Sequence, residues 1–223
     1  QGVFQFLCST YQKDSQTAEG LQNVLRGTFM ASGDKLVDNQ YTYTEAIMQA
    51  ADYSGVSPYA IGSKIRLEQG VNGDTESGLI SGTYPGYEGY YNYFNHGAYN
   101  EGNLSAVERG LRYAQGLYPN GTSAEMLLPW NTRLNSILGG AYKYGEYTRR
   151  GQDTNYLEKF NVVWEGGSGL FYGQYFTHIR GANSLGIALS TAYQGVDDTE
   201  LIFKIPVYEN MPSEPCPMPA GNG

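Results

Sequence analysis

Glu68 is the side chain here whose type and position most invite chemistry. It lies near the end of "SPYAIGSKIRLEQG" (57–70), which reads as one short helix. Ser57 suits the cap of its first turn, Pro58 the first helical position and Gly70 the left-handed stop. Ile61 and Ile65 fall one turn apart on the core-facing stripe, and Glu68 continues that stripe. A carboxyl there is disfavoured as an anion twice, by burial and by the negative end of the helix dipole. A carboxylic acid that holds its proton near neutrality can deliver it to a leaving oxygen. The bland alternative is that Glu68 turns to solvent or pairs with Lys64 or Arg66.

Composition suggests what that oxygen would belong to. The chain has 223 residues with 21 Tyr and 30 Gly, and only 16% of its residues are charged. Tyrosine combines a flat apolar face with a hydroxyl, which matches the alternating character of a sugar ring. The excess points to a glycan-facing protein of the extracellular world. A net charge of -8, from 22 acidic and 14 basic residues, argues against nucleic acid and anionic membrane as partners. There is no run of eighteen apolar residues, so membrane insertion is not expected, and the start does not read as a signal peptide. Two His and two Cys offer no local metal motif, so neither metal nor cofactor is expected. Cys8 and Cys216 either pair and tie the termini together or stay as free thiols.

Other chemistry is harder to place. His96 and His178 have no Ser or Cys partner in a recognisable nucleophile motif, which argues against a triad. "NGDTES" (72–77) lacks the spacing and terminal Glu of a calcium loop. Most glycosidases use two carboxyls, about 5 Å apart for retention and about 6.5–9.5 Å for inversion. The candidates to partner Glu68 are Glu76, Glu88 and Glu101, all in or just after a Gly-rich stretch. "YEGYY" around Glu88 equally suits an exposed hairpin tip. Because a loop carboxylate is poorly held, the substrate's own N-acetyl group is the favoured alternative nucleophile.

The elements that must position these groups are mostly helices. Thr42 and Ser105 each precede a Glu by three residues, the capping-box spacing, and predict helices over about 43–54 and 105–116. Periodicity predicts further helices over about 132–147 and 182–193. Residues 2–30 read as irregular with short extended pieces, "VFQFL" alternating like a strand, and "ELIFKIPVY" (200–208) reads as a strand. The fold class is therefore mainly α (α+β): a helical domain with a small Gly/Tyr-rich lobe of loops and short strands at 70–103. One domain over 1–223 is expected, with a Pro-rich tail from about 209 to 223, and a monomer.

Two motifs carry a resemblance. Glu68-Gln69-Gly70 is followed by Asn92-Tyr93-Phe94-Asn95 within "SGTYPGYEGYYNYFNHGAYN" (81–100). Together they resemble the glucosaminidase family of bacterial cell-wall hydrolases, glycoside hydrolase family 73. His96 departs from that family's pattern, where Ile is usual. The likeness continues in "FQFL" and in "WNTRLNSILGGAYKYGEYTRRGQDTNYLEKFNV" (130–162) and so covers most of the chain. It implies a lysozyme-like fold, peptidoglycan glycan strands as the partner, and a secreted or cell-wall-associated bacterial protein. It implies cleavage of the β-1,4 bond between N-acetylglucosamine and N-acetylmuramic acid, with Glu68 as the acid. Tyr91, Asn92, Phe94, Asn95 and Tyr147 would line the sugar groove. Read from residues alone, Asn92 and Asn95 equally suit turns, Phe94 suits the core, and Trp130 is either a stacking platform or a wedge between elements. Two other functions fit the same pattern: a lytic transglycosylase and a non-catalytic glycan-binding module.

Overall fold

The computed structural model describes residues 2–31, 33, 37–73, 78–117, 123–162, 169–174, 178–194 and 200–214. Among them eight α-helices carry the architecture: α1 (Ala18–Leu25), α2 (Tyr43–Ser54), α3 (Pro58–Gln69), α4 (Ala106–Ala114), α5 (Arg133–Tyr144), α6 (Glu146–Arg149), α7 (Asn155–Phe160) and α8 (Gly181–Ala192). The capping boxes form as their spacing predicts, Thr42 with Glu45 and Ser105 with Glu108. Helix α3 sits centrally, against α1, α2 and α8, while α2 also packs along α5. Ile47, Ile61, Ile65 and Ile137 are fully buried where these helices meet, with Tyr59 and Tyr93 beside them. Each such side chain stabilises the fold by about 1.5–3 kcal/mol.

The chain ends differ from the sequence expectation. "VFQFL" is not a strand: Gly2–Phe6 form a 3-10 helix packed on α8. The region read as irregular also contains α1, capped by Thr17 Oγ1, which accepts from Gly20 N. "ELIFKIPVY" is extended but makes only an isolated bridge, Phe203 to Leu7. Among the described residues no strand ladder forms, only four isolated bridges, so the short strands expected in the lobe are absent. A short alternation fits a strand only if a partner edge lies alongside, and none is supplied here. The helix expected over 132–147 breaks at Gly145 into α5 and α6. Helix α7 was not foreseen at all. Residues 209–214 of the tail are exposed. Cys8 is buried, its thiol donating to Asp153 Oδ2 at 3.5 Å, while Cys216 and Glu76 lie outside the described residues.

The Gly/Tyr-rich lobe is held by side chains. Leu79, Ile80, Tyr93 and Phe94 are buried, and the Tyr93 hydroxyl meets that of Tyr43 at 2.8 Å. Its seat is the paired glycines of α5. A Cβ on Gly139 would stand 1.9 Å from the Met126 carbonyl oxygen and 2.6 Å from Trp130 Nε1. One on Gly140 would stand 2.4 Å from the Phe94 ring. Helix propensity alone favours Ala over Gly by about 1 kcal/mol. Overpacking against backbone reverses that sign. Gly139→Ala is therefore expected to destabilise the fold by about 1–3 kcal/mol, read from urea unfolding.

Candidate active site

Helix α3 delivers Glu68 to the wall of an open groove of about 420 Å³. The groove runs between the C-terminal half of α3, the loop at 94–98, and the later helices α5, α6 and α7. Glu68 is half-buried, with 22% of its side chain exposed. Lys64, one turn back on α3, donates to Glu68 Oε1 at 2.5 Å. Asn95 Nδ2 donates to Glu68 Oε2 at 2.9 Å and to its backbone carbonyl at 3.2 Å. The carboxylate thus has an ammonium on one oxygen and an amide on the other. Glu68 lines the groove and pairs with Lys64, one of the two partners its spacing offers.

A chain of amides fixes the loop against α3. Gln69 Nε2 donates to Asn95 Oδ1 at 2.7 Å and to the Tyr93 carbonyl at 3.0 Å. Asn95 adopts a left-handed φ of 53°, which asparagine tolerates better than most residues. Asn92 is fully buried; its amide donates to the carbonyls of His96 and Gly110, and its Oδ1 accepts from His96 N. Asn92 is the buried brace of the loop, and Asn95 is the one that reaches the groove.

The structure sorts the remaining candidates by place. Phe94 and Tyr147 line the groove with Asn95. Phe94 is nevertheless almost enclosed, stacked on His96 with ring centres 5.6 Å apart. Trp130 presents no face for stacking: it is fully buried, its indole N–H donating to the Met126 carbonyl at 2.7 Å, and it is the wedge. Tyr91 is half-buried under the Arg133 guanidinium, 4.6 Å from its ring centre, and is not on the groove. Glu88 is exposed, and its carboxylate accepts from Gly86 N within its own turn. Glu101 pairs with Arg109 Nε at 2.7 Å. Neither Glu88 nor Glu101 lines the groove, because each is satisfied locally where the lobe turns away.

Two carboxyls that the motifs do not mark do line it, Glu146 on α6 and Glu158 on α7. The signal for α7 was its cap: Thr154 Oγ1 accepts from Leu157 N, the bond a Thr before a helix is suited to make. Nothing in the local pattern marks Glu158 as buried.

No protein-family model matches the chain, and no curated protein sequence does. Solved structures do. The major bifunctional autolysin of S. aureus superposes over 92% of this chain and 74% of its own, with a TM-score of 0.60 and 24% identity. S. aureus Autolysin E, crystallised as a catalytic Glu-to-Ala mutant with the disaccharide NAG-NAM, covers 90% of this chain and 78% of its own, with a TM-score of 0.54 at 20% identity. Autolysin E bound to the muropeptide NAM-L-Ala-D-iGlu gives a TM-score of 0.53. The fold is lysozyme-like. At these identities the likeness shows the fold.

Within this lysozyme-like frame the two unmarked carboxyls sit in opposite electrostatic settings. Burial pushes Glu146 up, but the bond from Lys143 and the charges of Lys143, Arg150 and Arg149 outweigh it and hold its carboxyl below the usual range. Glu158 is 6% exposed; burial pushes it up to about 8, and the nearby charge of Lys64 only partly offsets this. His96 moves the other way: burial pushes the imidazole down to about 4, against the bond to the Gly140 carbonyl, so it is neutral at ordinary pH.

These shifts set a pH dependence of stability. Glu158 keeps its proton in the fold up to about pH 8 but loses it near 4.5 when unfolded, so its contribution falls as pH rises through that window. His96 binds a proton near 6.5 when unfolded and only near 4 in the fold, so its contribution rises between those values. The two slopes cancel from pH 4.5 to 6.5, and above that only the loss from Glu158 remains. Urea unfolding should show stability falling by about 2 kcal/mol from pH 6.5 to 8, and Glu158→Gln should remove that decline.

Proposed function

We propose that this chain is an endo-β-N-acetylglucosaminidase of the autolysin type. It would hydrolyse the β-1,4 bond between N-acetylglucosamine and N-acetylmuramic acid in peptidoglycan, acting at the bacterial cell wall or after secretion. The observation that carries the reading is Glu68 on the wall of an open groove, its two oxygens held by Lys64 and Asn95. The shared fold supports it, since Autolysin E was crystallised in complex with NAG-NAM and its catalytic mutant lacks a glutamate. A purely sugar-binding module would have no use for a carboxylate held in this way.

In this reading Glu68 is the general acid that protonates the glycosidic oxygen as the bond to the departing muramyl unit breaks. The oxygen of the substrate's own N-acetyl group attacks the sugar carbon from the other face. Glu68, now ionised, then takes a proton from the water that opens that intermediate. Asn95 holds Glu68 in place, and Tyr147 offers a ring to the sugar. Glu88 and Glu101, which lie off the groove, contribute little to the bond-breaking step.

Loss of turbidity of a cell-wall suspension measures the activity, and mass spectrometry of the products identifies the bond. Hydrolysis leaves reducing N-acetylglucosamine ends, whereas a transglycosylase would leave anhydro sugars. Glu68→Gln, which conserves volume, should keep the fold and lower turnover by at least ~10²-fold. Near-normal lysis by that variant would move the chemistry to another residue.

A further inference from the structure

The loop that walls the groove does not end at the groove. Residues 94–98 line it, and Tyr99 follows directly, with 52% of its surface exposed. Four tyrosines are exposed among the described residues, Tyr53, Tyr99, Tyr172 and Tyr208. Of these, Tyr99 is the one that adjoins groove-lining residues in the chain.

Its ring is held by Arg109 on α4. The guanidinium carbon lies 3.5 Å from the ring centre, and Nη2 donates to the Tyr99 hydroxyl. Arg109 is itself firmly placed, with only 7% of its surface exposed. Its Nη1 donates to the Gly97 carbonyl at 2.6 Å and its Nε to Glu101 Oε2 at 2.7 Å. Gly97, Tyr99 and Glu101 therefore all hang on one buried side chain. Asn92 ties the start of the same loop to α4 again, through the Gly110 carbonyl. A guanidinium flat on an aromatic ring covers one face of it. The exposed half of Tyr99 must then include the other face.

We propose that Tyr99 is a stacking platform for a sugar ring of the glycan strand, beyond the sugars held in the groove itself. The proposal rests on the reading of the groove as a glycan site. The open aromatic face suits the C–H face of a sugar, and the wet ring edge leaves the sugar hydroxyls in water. Because Arg109 fixes the ring before any ligand arrives, little side-chain freedom is lost on contact. A strand that is cut internally continues past the groove, and the wall at 94–98 leads to Tyr99. The ligand is accordingly a saccharide long enough to leave the groove. Arg109 acts through Tyr99 and is a positioning residue for the platform.

The test compares the wild type with Tyr99→Ala and Tyr99→Phe on peptidoglycan glycan strands of graded length. Tyr99→Ala should raise KM rather than lower kcat, and the loss in kcat/KM should grow with length to about three- to tenfold on long strands. Tyr99→Phe keeps the ring and should recover most of that loss. A loss equal at every length, or one seated in kcat, would make Tyr99 a mere cover for Arg109 and overturn the proposal. An unchanged KM on long strands would overturn it too. Binding of long strands to Glu68→Gln, with and without Tyr99→Ala, repeats the comparison without turnover, and Kd should weaken by the same about three- to tenfold. If the wild type cleaves no glycan of any length, the functional reading fails. The binding comparison still decides the platform, and equal Kd values would reject it.

Discussion

A carboxylate drawn half out of water has to be met by donors, and most of the architecture around α3 answers that requirement. Removing one partner of a buried charge leaves the other uncompensated, which typically costs several kcal/mol. Lys64 supplies the charge from the same helix, so that pairing needs no tertiary fold. Asn95 comes from the following loop and must be brought back along α3. The buried amides of Gln69 and Asn92 do this, together with the Tyr43–Tyr93 contact beneath them. The loop is thus fixed by neutral hydrogen bonds, and the charged pair is left facing the open space.

Glu146 and Glu158 show how neighbours divide the roles of chemically equal side chains. Both line one groove. Glu146 lies among three cations and is ionised at little cost. Glu158 is packed where α7 meets α8, and neither the helices nor the N-terminal turn brings it a second charge. Burial without a dedicated partner favours the neutral form. The groove accordingly contains a carboxylate and a carboxylic acid together, an arrangement on which acid–base chemistry commonly depends.

Much of the helical frame was legible in the sequence because its ends are written locally. Thr42, Ser57 and Ser105 cap helices whose starts agree with their spacing, and Gly55 and Gly70 stop two of them. Glu68 was legible because a carboxyl broke an apolar stripe. Asn95 was legible only through its motif, and its partnership with Glu68 required the loop to fold back. Trp130 stayed undecided because its burial is set by the glycines of α5, a contact that no neighbouring residue announces. Helix α7 is six residues long, too short for a period to be read. Glu158 was missed for that reason and because its burial comes from α8 and the N-terminal turn, far away in sequence. The terminal pieces were misread because alternation resembles a strand until the absence of a partner edge is seen.

The groove joins Lys64 to Glu158, and between them lie the lobe, α4, α5 and α6. As the chain leaves the ribosome, α3 and its Lys64–Glu68 pair can form early, since both residues are on one helix. The facing wall arrives only after α7 has been made and has docked on α8 and the N-terminal turn. Domains generally fold as units during synthesis, and contacts this remote are late to close. Nascent chains would therefore carry a paired, one-sided carboxylate and no enclosed acid. The groove is complete only at the end of the chain's own assembly, once the last of its walls has been made and has docked.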